Sequence, residues 1–169
     1  MTITYRDAGP ADAVALDRIF DTSFCDTFGH LYRPEDLNTF LTSFGISDWE
    51  AQLSSPAFSC RIAEVDGVPA GYVKLGPLKL PVEANGSALL LDQLYILKEH
   101  RGLGIAQGLM DWALGEAEKR GAAQIFLTVY VDNHRAQRLY DHYGFEDVGR
   151  YDFMVGNQAD EDIIMRKSL

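Results

Sequence analysis

A chain of 169 residues with 47% hydrophobic and 24% charged side chains has the size and composition of one folded domain, which excludes a disordered chain. Its net charge of −10 works against nucleic-acid binding, because that binding depends on Lys and Arg neutralising phosphates. The same surface either steers cations such as polyamines toward the protein or serves only to keep it in solution. No apolar run approaches the length of a membrane span, and Met1-Thr2-Ile3-Thr4-Tyr5-Arg6-Asp7 lacks the charged and apolar regions of a signal peptide. The expectation is a cytoplasmic protein with no membrane partner.

Residues 2–7 read as a first strand, and Pro10-Ala11-Asp12 opens a helix whose apolar positions Val14, Leu16, Ile19, Phe20, Phe24 and Phe28 follow approximate helical spacing. Short helices should follow Pro34-Glu35-Asp36 and Ser47-Asp48-Trp49-Glu50. From Phe58 the period changes. Residues 58–65 are a strand, Asp66-Gly67 a tight turn, and residues 69–75 its partner. Ala88 to Leu97 is a nearly continuous apolar strand, as expected where both faces are covered.

Ala106 to Arg120 is an amphipathic helix that stops at Gly121, residues 125–131 form a further strand, and Asn133 to Tyr143 form a helix closed by Gly144. Residues 145–155 and 162–166 supply the last strands. This order predicts one α/β (α+β) domain over residues 1–169, with six or seven mostly antiparallel strands and four or five flanking helices. Cys25 and Cys60 are too few and too widely spaced for a disulfide framework, and reduced, core-packed thiols are expected. The four histidines are dispersed, with no metal-ligand spacing, so no metal is expected.

Three positions carry chemistry. The apolar strand runs through Leu94, Tyr95 and Ile96 into a glycine-rich turn, Arg101-Gly102-Leu103-Gly104-Ile105-Ala106, which opens the following helix. Unpaired N–H groups at the positive end of a helix dipole can hold a pyrophosphate, and glycine lets the backbone come close to it. A P-loop is ruled out because Gly104 is followed by Ile105 and Ala106 rather than Lys and Ser or Thr; the dinucleotide fingerprint lacks its third glycine. Asn133 is a favoured helix cap, and Ala136 and Tyr140 follow on the same helix. Tyr140 either packs in the core or presents a phenol to a ligand. Asp92 interrupts the apolar strand; it either lines a cleft or sits in a bulge or ion pair, since a bare buried carboxylate is costly. Strand alternation puts it on the face of Leu94 and Ile96.

Arg101-x-x-Gly104-x-Ala106 and Asn133-x-x-Ala136-x-x-x-Tyr140-x-x-x-Gly144-Phe145 resemble the two signatures of the GNAT acetyltransferases, each in its proper secondary structure. Asp26-Thr27-Phe28, Tyr32-x-Pro34-Glu35-Asp36 and the ending Asp162-x-Ile164-Met165-x-Lys167-x-Leu169 are similar to bacterial spermine/spermidine acetyltransferases of the PaiA type. The resemblance implies acetyl-CoA as donor and direct attack by an amine in a ternary complex. It implies that Leu94 and Ile96 pair with the pantetheine arm, and that the 101–106 turn holds the pyrophosphate. Asn133 would bond the pantetheine or a bridging water, with Lys98, Arg101, Arg135 and Arg138 near the adenosine phosphate. Tyr140 would be the general acid, Asp92 the base and the Ile96 N–H the oxyanion donor. Phe28, His30, Tyr32, Glu35 and Asp36 would form an aromatic and acidic wall for a small amine, plausibly a polyamine, on a monomer or homodimer. The rival readings are transfer to a protein N-terminus, a lysine or an amine antibiotic, and a non-catalytic acyl-CoA-binding domain.

Overall fold

The computed structural model describes all 169 residues. One sheet organises the chain. Strands β1 (Ile3–Asp7), β2 (Ser59–Val65), β3 (Val68–Pro77), β4 (Ala88–Ile96), β5 (Gln124–Tyr130), β6 (Glu146–Val155) and β7 (Gln158–Ser168) lie in the order β1-β2-β3-β4-β5-β7-β6. Every neighbouring pair is antiparallel except β4 and β5. Five helices cover it: α1 (Ala13–Phe28), α2 (Pro34–Thr42), α3 (Ile46–Leu53), α4 (Ile105–Lys119) and α5 (His134–His142). The mixed, mostly antiparallel architecture expected from the order of elements is the one observed. The last strand is longer than its sequence pattern suggested, starting at Gln158 rather than Asp162.

Each face of the sheet carries its own core. Ile105, Leu109, Met110, Ala113 and Ala117 of α4 press on Val73, Leu75, Leu91, Ile125 and Leu127, joined by Tyr140 of α5. On the other face Leu16, Ile19, Phe20 and Phe24 of α1 and Trp49 of α3 cover Ile62 and Tyr72. Cys60 is buried in this second core, whereas Cys25 is exposed. The expectation of two core thiols therefore holds for one of them: Cys25 lies on the outer side of α1.

A central strand is expected to be apolar, yet β3 buries Lys74 with 1% exposure. The ammonium is compensated from several sides. Gln52 accepts a bond at 2.7 Å, Asp92 lies at 3.3 Å, and the rings of Trp49 and Phe44 stand 4.5 and 5.0 Å away. Burial lowers its pKa while Asp92 pulls the other way.

Opposite Lys74 the ladder breaks. Lys74 pairs with Gln93 and Leu75 with Leu91, so Asp92 is the extra residue of a β-bulge. A bulge bends its strand and sharpens the local twist. The parallel pairing of β4 and β5 covers only Ala88, Leu89 and Leu90 against Gln124, Ile125 and Phe126. Beyond Leu90 the two strands separate, and the gap is the mouth of the site.

Candidate active site

The gap opens a cleft of about 710 Å³ that passes between the two faces of the sheet. Leu91 to Ile96 form one wall, Thr128 to Tyr130 the other, and the turn before α4 and the start of α5 close one end. Phe28, Tyr32, Phe153, Asp160 and Asp162 line the other end.

Backbone parity decides what β4 offers. The Leu97 N–H bonds to Ala70 on β3 at 2.9 Å, so Tyr95 and Gln93 also point that way. Leu94 and Ile96 therefore turn their N–H and C=O groups toward the cleft, where β5 no longer meets them. The Arg101 guanidinium uses the Ile96 carbonyl at 3.3 Å and the Thr27 hydroxyl at 3.1 Å.

The glycine turn presents free backbone donors. Gly102 and Gly104 have φ of +79° and +82°, and a Cβ at either position would meet no protein atom within 4 Å. The N–H groups of residues 102–107 make no hydrogen bond within the chain. They converge on the N-terminus of α4, where the helix dipole favours negative charge. Arg135 and Arg138 line the same end of the cleft. Two details differ from expectation: the Arg101 N–H is spent on Lys98 at 3.3 Å, and Leu103 points outward, 38% exposed. Lys98 does not line the cleft. Asn133 caps α5, its side chain accepting from the Ala136 N–H at 3.3 Å, which leaves its amide NH₂ free to donate.

Tyr140 is 8% exposed and sits edge-on to Phe145. It lines the cleft, and burial raises its pKa to about 12. The ring is part of the core, and Tyr140 is also among the residues that line the cleft.

Asp92 lines the cleft, but the bulge overturns its expected direction. It shares a face with Lys74 rather than with Leu94 and Ile96, and its two oxygens lie 3.3 Å from Lys74 and 3.3 Å from Lys79. The expected acceptor wall is half present. Phe28 and Tyr32 line the cleft, with Phe24 stacked against Tyr32 and Phe28 edge-on to Tyr130. Glu35 does not, being exposed at the start of α2 and near Arg33 only. Asp36 is buried elsewhere, where it accepts the Asn157 N–H and the Arg33 guanidinium at 2.9 Å each and so ties α2 to the β6–β7 turn. His30 borders a side depression beside Asp132. The acids at this end of the cleft, Asp160 and Asp162, come from β7. Their signal was the alternation Asp160, Asp162, Ile164, which places two acids on the inward side of a strand.

Residues 19–145 match the Acetyltransferase (GNAT) family. The chain belongs to the GNAT family. As a GNAT enzyme it is an N-acetyltransferase, and its acetyl donor is acetyl-CoA. It is 29% identical over 153 residues to an uncharacterized N-acetyltransferase of Lactobacillus delbrueckii subsp. lactis, covering 87% of this chain and 86% of that one. An uncharacterized N-acetyltransferase of Mycobacterium tuberculosis is 29% identical over 137 residues, covering 80% and 84%. Among solved structures, the PaiA N-acetyltransferase of Thermoplasma acidophilum in complex with coenzyme A superposes with a TM-score of 0.80. It is 20% identical, and each chain is covered in full. That likeness is one of fold. No helix is long and apolar enough to cross a membrane.

Proposed function

We propose that this GNAT acetyltransferase acetylates a primary amine of a small polycation, a polyamine such as spermidine or spermine, by direct attack in a ternary complex. The observation that carries the reading is the acceptor end of the cleft. It combines the aromatic rings of Phe28, Tyr32, Tyr130 and Phe153 with two carboxylates, Asp160 and Asp162, that form no ion pair within the chain. Rings and unpaired carboxylates together favour an alkylammonium over a neutral or anionic acceptor. The charge of −10 adds steering toward polycations.

At the donor end, the free N–H groups of residues 102–107 suit the pyrophosphate of acetyl-CoA, and Arg135 and Arg138 suit a further phosphate. Leu94 and Ile96 offer the edge of an unpaired strand to the pantetheine amides, the Asn133 NH₂ donates to the same arm, and Ala136 leaves room beside it. The Ile96 N–H faces the cleft, where it can stabilise the oxygen that becomes negative as the thioester is attacked. The donor supplies the activated acetyl group; Tyr140 holds its proton beside the departing sulfur.

Thiol release from acetyl-CoA, measured against spermidine, spermine, amino acids, aminoglycosides and short peptides, tests the reading. Polyamines should give the highest kcat/KM. Raising ionic strength should increase the KM for spermidine more than that for butylamine, because a trivalent cation loses more steering to screening. Preference for a peptide or an aminoglycoside would discard the polyamine and keep the acetyltransferase.

A further inference from the structure

Direct attack requires a free amine, so some group must take a proton from the incoming ammonium. Three carboxylates line the cleft. Asp92 is engaged by two lysines, Lys74 and Lys79, and lies in the β4 bulge. Asp160 accepts the Tyr32 hydroxyl, a bond that ties the segment after α1 to β7. Asp162 differs from both. It is 6% exposed, forms no ion pair, and stands on the cleft face of β7, where its backbone is paired with Tyr130 on one side and Tyr151 on the other.

We infer that Asp162 is the catalytic base: its carboxylate takes the first proton from the substrate ammonium at the acceptor end of the cleft. This inference rests on the acetyltransferase assignment and not on the polyamine. The proton balance closes with these groups. R–NH₃⁺ gives one proton to Asp162, which later releases it to solvent. The amine lone pair forms the C–N bond as the C–S bond breaks. The second nitrogen proton replaces the one that Tyr140 donates to sulfur, and the third remains on the amide.

The surroundings of Asp162 suit that task. Burial, with the neighbouring Asp160, raises its pKa to about 7, and the nearby Thr128 hydroxyl on β5 opposes this by favouring the charged carboxylate. An alkylammonium resembles the lysine side chain, near 10.4, so an ordinary aspartate near 3.9 lies about six units below it and Asp162 only about three. Each unit recovered makes proton transfer about tenfold less uphill. The other groups facing it are Tyr32 after α1, Tyr95 on β4, Tyr130 on β5, Tyr151 on β6 and Asp160 on β7. Tyr32, Tyr95 and Tyr130 all have pKa values raised above the ordinary phenol, chiefly by burial, and so stay neutral through the working range. Asp92 with its two lysines lies across the cleft. His100 and His142 line it beside the glycine turn and at the end of α5.

The test is the pH dependence of kcat/KM for acetyl-CoA with spermidine and with an alanine-terminated hexapeptide, using whichever turns over faster. The wild-type rate should rise with pH through a limb near 7, because the base acts only when ionised. Asp162→Asn should lower kcat/KM by roughly 10²-fold and erase that limb, with CoA affinity by calorimetry unchanged. Thr128→Val removes the hydroxyl that favours the charged carboxylate and should move the limb to higher pH. A D162N enzyme with wild-type rate and the same limb would assign the limb elsewhere, a histidine included, and overturn the proposal. Should D162N not fold, an unmoved limb in T128V would overturn it equally. Wild-type protein that releases no thiol with either acceptor would count against the acetyltransferase assignment, a different failure.

Discussion

Gly104→Glu should abolish CoA binding while leaving the fold intact, and isothermal calorimetry against CoA is the measurement that checks it. The backbone at Gly104 has φ of +82°, a conformation that costs an L-residue about 1–2 kcal/mol. That strain alone is small beside the stability of an ordinary domain. Because no protein atom lies within 4 Å of a Cβ built there, a side chain meets only open space beside a turn whose N–H groups at residues 102–107 are free. A glutamate in that space both fills the proposed pyrophosphate site and repels its charge. Gly104→Ala separates the two effects, since it carries the backbone strain without length or charge. We expect the alanine variant to lose up to about tenfold in affinity and the glutamate variant at least about 10³-fold, or ~4 kcal/mol. Equal affinities for the two variants would show that the phosphate lies elsewhere.

The elements that frame this turn were legible because they obey local rules. The α4 stripe, the Asn133 cap and the period change at Phe58 each depend on residues within about ten positions of one another. The parts of the site that escaped the sequence depend on pairing across the chain. Asp92 reads as an inward residue of β4 until its register against Lys74 and Leu75 is known, and only then does it become a bulge. The bond between Tyr32 and Asp160 joins residues 128 positions apart. Glu35 and Asp36 were drawn toward the substrate by their charge, whereas acids in the first turn of a helix answer first to its dipole and its neighbours. Lys74 broke the apolar pattern of β3 with a cation whose partners come from α3 and β4.

The cleft therefore has two ends with different chemistry, and the division follows from the sheet. Residues of β4 that point toward α4 and α5 meet backbone donors and arginines; the rings and acids of the other face come from α1, the segment after it, and β7. Separation of β4 from β5 beyond Leu90 lets one ligand be reached from both sides of the same sheet. In the proposed reaction a donor held on one face and an amine held on the other would meet in the gap without sharing contacts, the arrangement a ternary complex needs.

Tyr140 stands at that meeting point, and Tyr140→Phe should lower kcat by roughly 10²-fold with CoA affinity and thermal stability nearly unchanged. The ring packs on Phe145 and survives the substitution, so the change removes only the hydroxyl, which has no partner within the chain. Burial holds that phenol at about 12. A thiol lies near 8.5, so a phenol at 12 does not hand its proton to the leaving thiolate unaided. The transfer becomes favourable when the proton leaving the substrate nitrogen replaces the one given up in the same event. In the proposed reaction Tyr140 then acts as a donor to sulfur and a relay rather than as a free acid. This has a consequence for the alkaline side of the pH profile: with its pKa raised, Tyr140 stays neutral between pH 8 and about 10, and no decline in kcat over that range should be traceable to it. Single-turnover rates across that range for wild type and Tyr140→Phe would decide the matter. A wild-type decline that the phenylalanine variant lacks would show an ionised tyrosinate and a lower pKa. Equal rates for the two proteins would reduce Tyr140 to its packing against Phe145.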